Sequence, residues 1–164
     1  MKNLIIRLLK LIIITSICIE YVDARDINKT IIATKHNKNL TLGQIAEIQP
    51  GLGSIMMEFG HRFYVAYYAA KAGNWELADY EIHELIEAQE VAETTRPKYK
   101  KQLKSFEDNY LSKLNNTIKE ESWDKFKKQY TQTTVACNQC HKSNGHPYIK
   151  YILPKNPPKY LNMK

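Results

Sequence analysis

The sequence predicts an all-α fold, an antiparallel four-helix bundle, on three observations. Apolar residues recur at three- and four-residue spacing through successive stretches after residue 41. Glycine, proline and capping residues separate those stretches at short intervals, as antiparallel neighbours require. No run of alternating apolar and polar residues bounded by hairpin turns stands out, and no internal repeat is visible. A chain of 164 residues holds one core and not two ordinary domains. With 43% hydrophobic and 25% charged residues, six Gly and six Pro, it is neither disordered, collagen-like nor a multi-span membrane protein.

Residues 1–24 read as a signal peptide. Lys2, Arg7 and Lys10 precede the uncharged, largely apolar run from Leu11 to Ile19, and Val22-Asp23-Ala24 offers small residues to a peptidase. The run is nine residues, against the roughly 20 needed to cross a bilayer. A retained transmembrane anchor is therefore the lesser alternative, and a lipid anchor at Cys18 is disfavoured by Ile17, where a small residue is wanted. Cleavage removes three positive and two negative charges, so a net charge of +7 becomes +6. The expected location is the periplasm, with no stable membrane span after cleavage. Cleavage also removes Cys18 and leaves Cys137 and Cys140, spaced too tightly for an ordinary structural disulfide.

Residues 25–40 are polar without a sustained period and read as a mobile N-terminal arm. The bundle is expected over 41–146. A short helix over 41–49 is broken by Pro50, Gly51 and Gly53, and a long one follows over 52–71 with Leu52, Met56, Phe59, Phe63, Ala66 and Ala70 inward. Gly73 ends it. Asn74 caps the next helix, which runs to about Glu93 and buries Ala78, Ile82, Leu85 and Ala92. After Thr94 to Pro97 a third long helix carries Leu103, Phe106, Tyr110, Leu114 and Ile118 on one face. Ser122 caps the last, whose stripe is Trp123, Phe126, Tyr130, Thr133 or Thr134, Cys137 and His141, before Asn144-Gly145 and Pro147 stop it. Residues 147–164, with four of the six prolines, form a Pro-rich C-terminal tail over the outside.

Residues 137–141 read Cys-Asn-Gln-Cys-His, the C-x-x-C-H pattern of covalent haem c attachment. On a helix the three functional side chains fall at about 0°, 300° and 40° around the axis, one sector of the surface. Both sulfurs can then bond the vinyl-derived carbons at one edge of a porphyrin while His141 reaches the iron. Two other readings compete. A zinc site from Cys137, Cys140, His141 and His146 has the wrong spacing, and a redox dithiol belongs at a helix N-terminus beside a βαβ pattern, neither of which is found here.

The helical pattern with its haem motif on the last helix resembles the cytochrome c′ group, the class II cytochromes c. More narrowly, Gly73-Asn74-Trp75-Glu76-Leu77-Ala78, Tyr80-Glu81, Glu84, Ala136-Cys137-Asn138, Cys140-His141 and the prolines Pro154, Pro157 and Pro158 are similar to a family of exported haem-binding helical proteins. Gly60 and the run from Val65 to Ala70 depart from that family's expected Gln and Lys-Leu-Trp-Phe-Ala-Gly. The segment Lys142-Ser143-Asn144-Gly145 departs from the basic residue that cytochromes c′ tend to keep after the motif. The resemblance implies haem in the bundle core and pairing of first helices into a homodimer.

The expected function is that of a monohaem c-type cytochrome carrying one electron, and not an enzyme. Cys137 and Cys140 hold the single haem c and His141 is the proximal iron ligand. Met56 is the first choice for the distal iron ligand, matching the family pattern as Gly53-Ser54-Ile55-Met56 and lying on the apolar stripe, with Met57 and His61 behind it. The alternative is a five-coordinate haem that binds nitric oxide or carbon monoxide against Ile55, Met56 and Phe59. A peroxidase would want a distal Arg-His pair, to which Arg62 beside His61 comes nearest. Lysines 98, 100, 101, 104, 125, 127 and 128 could steer an acidic redox partner protein. Nucleic acid is excluded as a partner, since no groove-reading or stacking motif is present.

Overall fold

The computed structural model describes residues 29–33 and 39–163. The signal peptide, with Cys18, and residues 25–28 and 34–38 of the arm lie outside the described residues. What is described is mostly helical, as an all-α protein should be, and falls into two compact units divided between Gln49 and Pro50.

In the first unit, β1 (Ile31–Ala33) pairs antiparallel with β2 (Asn39–Thr41), in register Ile31↔Thr41, Ile32↔Leu40 and Ala33↔Asn39. This corrects the reading of the arm as patternless. Two adjacent β-branched isoleucines favour extended backbone locally, although three residues are too few to display a period of two. Thr41 ends the ladder and also caps α1 (Leu42–Glu47). Its hydroxyl accepts from the Gln44 amide (3.1 Å) while the Gln44 side chain accepts from the Thr41 amide (2.9 Å), a reciprocal capping box.

The second unit begins with α2 (Leu52–Lys71), which buries Ile55, Phe59, Phe63, Val65, Ala66, Tyr68, Ala69 and Ala70. Gly73 closes it in left-handed backbone at φ +82°, with the Asn74 amide returning to the Ala69 carbonyl and the Gly73 amide to Ala70, a Schellman turn. Asn74 then caps α3 (Trp75–Thr95) by accepting from the Leu77 amide at 3.0 Å. The tight reversal lays α3 back along α2. Ala78, Ile82, Leu85 and Ala92 are buried as expected, together with Glu81, Gln89 and Glu93.

A 3₁₀ turn, Pro97–Tyr99, leads into α4 (Lys100–Phe106). A π turn, Glu107–Leu111, joins this directly to α5 (Ser112–Lys119). The wider turn consumes one extra residue, so the inward stripe steps from Phe106 to Leu111 instead of to Tyr110. Leu111 is fully buried and Tyr110 only half-buried, which corrects the expected stripe at that point.

The last helix, α6 (Trp123–Ser143), starts after Ser122, but the Ser122 hydroxyl makes no capping hydrogen bond, contrary to the role expected of it. Phe126, Tyr130, Thr133 and Ala136 are buried along it. Helix α6 touches α5 and α2, and α3 touches α4 and α5. Phe63 and Tyr130 stack at 3.9 Å between ring centroids, with the rings 7° from parallel. Trp75 and Trp123 both pack near Phe126, at 6.2 and 6.1 Å between centroids. Among the described residues no helix is long and apolar enough to cross a membrane.

The tail follows a definite path. Tyr68 and Tyr64 of α2 donate their hydroxyls to the carbonyls of Pro154 (2.7 Å) and Asn156 (2.6 Å). Tyr151 and Leu153 pack on the core, and Pro158 is buried.

Candidate functional site

The last turns of α6 carry Cys137, Cys140 and His141, and the helix stops immediately after them. The stop is a second Schellman turn: Gly145 takes φ +83°, the His146 amide donates to the His141 carbonyl (2.9 Å) and the Gly145 amide to Lys142 (3.2 Å). A left-handed residue at this point reverses the chain, and the Ile149 amide donates to the His146 carbonyl at 3.0 Å. The tail is thereby carried back alongside α6.

That return path reaches the histidine. The Ile149 carbonyl lies 3.1 Å from His141 Nδ1. A carbonyl can only accept, so the proton sits on Nδ1 and the lone pair on Nε2. An iron-binding imidazole needs that tautomer, with its remote nitrogen free and its near nitrogen held by a backbone acceptor.

Both cysteines are free thiols and half-buried. Cys137 packs against the core, and burial, followed by the neighbouring Cys140, pushes its thiol up to about 12. Burial also raises the Cys140 thiol, opposed by the Asn144 side-chain amide, 3.6 Å from the sulfur. Asn144 Nδ2 also lies 2.8 Å from the Cys140 carbonyl and 3.0 Å from Gln102 Oε1, tying this end of α6 to the start of α4. Thiols held protonated are poor redox nucleophiles. His146 turns instead to the Tyr148 hydroxyl at 3.0 Å, and among the described residues no three His, Cys, Asp or Glu side chains gather as a metal-holding group. A porphyrin asks less of the chain, since it brings its own four iron ligands. Two thiols and one oriented imidazole on a single helix face fit it.

Met56 is partly buried and packs both on the main core and on the smaller cluster of Ile55, Ala92 and Leu103. Leu103 follows Gln102, so Met56 lies toward the end of the unit that carries Cys140. Met57 is 77% exposed and faces away from the core. His61 is exposed and meets the Tyr160 hydroxyl, 2.9 Å from Nε2, in the tail. Arg62 is committed to three carboxylates on the α2–α3 seam, Glu58 (3.0 Å), Glu81 (3.2 Å) and Glu84 (3.3 Å).

Sequence reasoning singled out neither Asn138 nor the Ile149 carbonyl as part of this site. Asn138, the first variable residue of the motif, accepts from the Tyr151 amide (2.7 Å) and donates to the Tyr151 carbonyl (3.2 Å). Nor did it single out Gln89, fully buried on α3, which donates to the Leu103 carbonyl (3.0 Å) and to Glu93 (3.3 Å). Its signal was a polar residue on an apolar period, four positions after Leu85.

The chain matches no protein-family model, no curated protein and no solved structure.

Proposed function

We propose that this chain is an exported monohaem c-type cytochrome that carries single electrons in the periplasm, built as an antiparallel four-helix bundle of the cytochrome c′-like kind. The observation that carries the reading is the His141–Ile149 contact: it prepares the imidazole as an Nε2 ligand one residue from a free cysteine thiol, with the second thiol one helical turn back. The bundle is supported by the pairing of α2 with α3, of α3 with the continuous 100–119 rod, and of α6 with both α5 and α2.

Haem, when bound, supplies an iron that gains and loses one electron without moving the surrounding chain. Cys137 and Cys140 would hold it by adding their S–H groups across the two vinyl groups. His141 Nε2 would be the proximal donor and Met56 the distal one. Packing of the partly buried Met56 on Ile55, Ala92 and Leu103 would keep that side apolar. The lysines at the start of α4 share an end of the unit with Cys140, through Gln102 and Asn144, where they would meet an acidic redox partner. The same apolar surroundings support a second reading, a five-coordinate haem that binds nitric oxide or carbon monoxide, in which Met56 only fills space.

Acid–acetone extraction of the exported protein tests the first claim. Haem is expected to stay with the polypeptide, and the Cys137→Ala, Cys140→Ala double variant is expected to lose all covalent haem. Retention of colour by that variant after extraction would refute attachment at this site. The oxidised spectrum separates the two readings. A low-spin spectrum whose weak red methionine–iron band vanishes in Met56→Ala supports the electron carrier, and a high-spin spectrum with ready carbon monoxide binding supports the gas binder.

A further inference from the structure

We propose that Asn138 is a positioning residue for His141, acting by clamping the C-terminal tail so that the Ile149 carbonyl stays on the imidazole. The inference deepens the c-type cytochrome reading and rests on it for its consequence, but its geometry involves only protein groups.

Asn138 lies between the two cysteines on α6 and is half-buried. Its amide group pairs with both backbone groups of Tyr151, accepting at 2.7 Å and donating at 3.2 Å. That is how a neighbouring strand would satisfy an extended residue, and here one side chain does it. Ile149 is two residues upstream of the clamp and three downstream of His146, whose carbonyl accepts from the Ile149 amide. The segment between the helix end and the clamp is therefore fixed at both ends, and the Ile149 carbonyl has little freedom to leave His141. Beyond the clamp, Tyr68 and Tyr64 hold Pro154 and Asn156 independently. The Tyr151 side chain stays seated on Phe63 and Tyr130, so loss of the Asn138 pair should loosen residues 147–150 and the Tyr151 backbone and leave the rest of the tail docked.

The function of such a clamp is electronic. An imidazole that donates Nδ1–H to a firm acceptor is a stronger donor at Nε2, which favours the oxidised iron. In the haem-loaded protein, loosening the clamp should raise the reduction potential.

The test is made on the full chain expressed without haem attachment, with ¹⁵N-labelled histidine, at about pH 8. Wild type is expected to show His141 as the single Nδ1–H tautomer and a protected Tyr151 amide. Asn138→Ala is expected to give a mixture of tautomers and about tenfold faster Tyr151 amide exchange. Asn138→Asp retains the acceptor for the Tyr151 amide and is expected to recover much of both signals. Alanine has the higher helix propensity, so α6 itself is not weakened by the first variant. Unchanged tautomer and unchanged exchange in Asn138→Ala would overturn the proposal, and so would Asn138→Asp behaving no better than alanine. If Asn138→Ala fails to fold, Asn138→Asp alone decides: a wild-type tautomer with partly faster exchange supports the clamp, and a fully mixed tautomer overturns it. Because this readout is taken with no iron on Nε2, a natively exported protein that proves colourless would sink the cytochrome reading, while a single wild-type tautomer would leave the clamp standing.

Discussion

Arg62 serves three carboxylates at once, and Glu81 has little else to balance it. Glu81 is 6% exposed, and desolvation raises its carboxyl pKa despite the guanidinium beside it. Arg62→Ala would leave that carboxylate buried without its partner, which costs about 3 kcal/mol. Urea denaturation at neutral pH is expected to show that loss, and Arg62→Lys should recover only part of it, because an ammonium cannot fork toward three carboxylates. The deficit should narrow on acidification. A carboxyl with a raised folded pKa contributes most when protonated, and its contribution fades as pH rises above the unfolded value. The same commitment explains why Arg62 beside His61 does not make a distal pair: the arginine faces α3 and the histidine faces the tail.

The turns that end α2 and α6 were legible because each is written in a few adjacent residues. Gly73-Asn74 and Asn144-Gly145 both form the turns their chemistry suggests. The end of α5 repeats the geometry with the wrong residue: Glu121 takes φ +48°, with the Ser122 amide returning to Thr117 and the Glu121 amide to Ile118. A side chain there costs roughly 1 kcal/mol, so Glu121→Gly is expected to stabilise the protein by about 0.5–1 kcal/mol in thermal or urea unfolding. The π turn was not legible. Phe106, Tyr110 and Leu114 keep a regular helical period, and only the packing of Leu111 between α3 and α6 selects the wider turn. The hairpin escaped notice because its strands are three residues each. At the site, the thiols and His141 were readable as a string. Asn138 and the Ile149 carbonyl were not, because a backbone acceptor acquires its role only from the route the tail takes.

At the scale of the whole molecule, three groups raised by burial meet on one seam between α6 and the tail. Tyr130 and Tyr151 share a hydrogen bond at 2.7 Å, both phenols are raised by burial, Tyr151 to about 12, and both feel Cys137, itself raised to about 12. Such groups stabilise the fold while protonated. The unfolded chain ionises first, so stability is whole below the ordinary thiol value of 9.0 and declines from there toward about 12. Urea midpoints measured against pH are expected to be flat from about 7 to about 9 for the chain with free thiols. With both thiols converted to thioethers, or in the Cys137→Ser, Cys140→Ser double variant, the decline should begin nearer the phenol value of 10.0.

The tail also has a place in time. Its tyrosine bonds join residues separated by 86, 92 and 99 positions. Loops of that span are the slowest to close, after helices have found their sequence neighbours. Docking of Pro154, Asn156 and Tyr160 on α2 is thus a late event in folding, after Tyr151 has met Asn138 and Tyr130, only 13 and 21 positions away. On the proposed reading, haem attachment would come before the carboxyl end is pinned to α2.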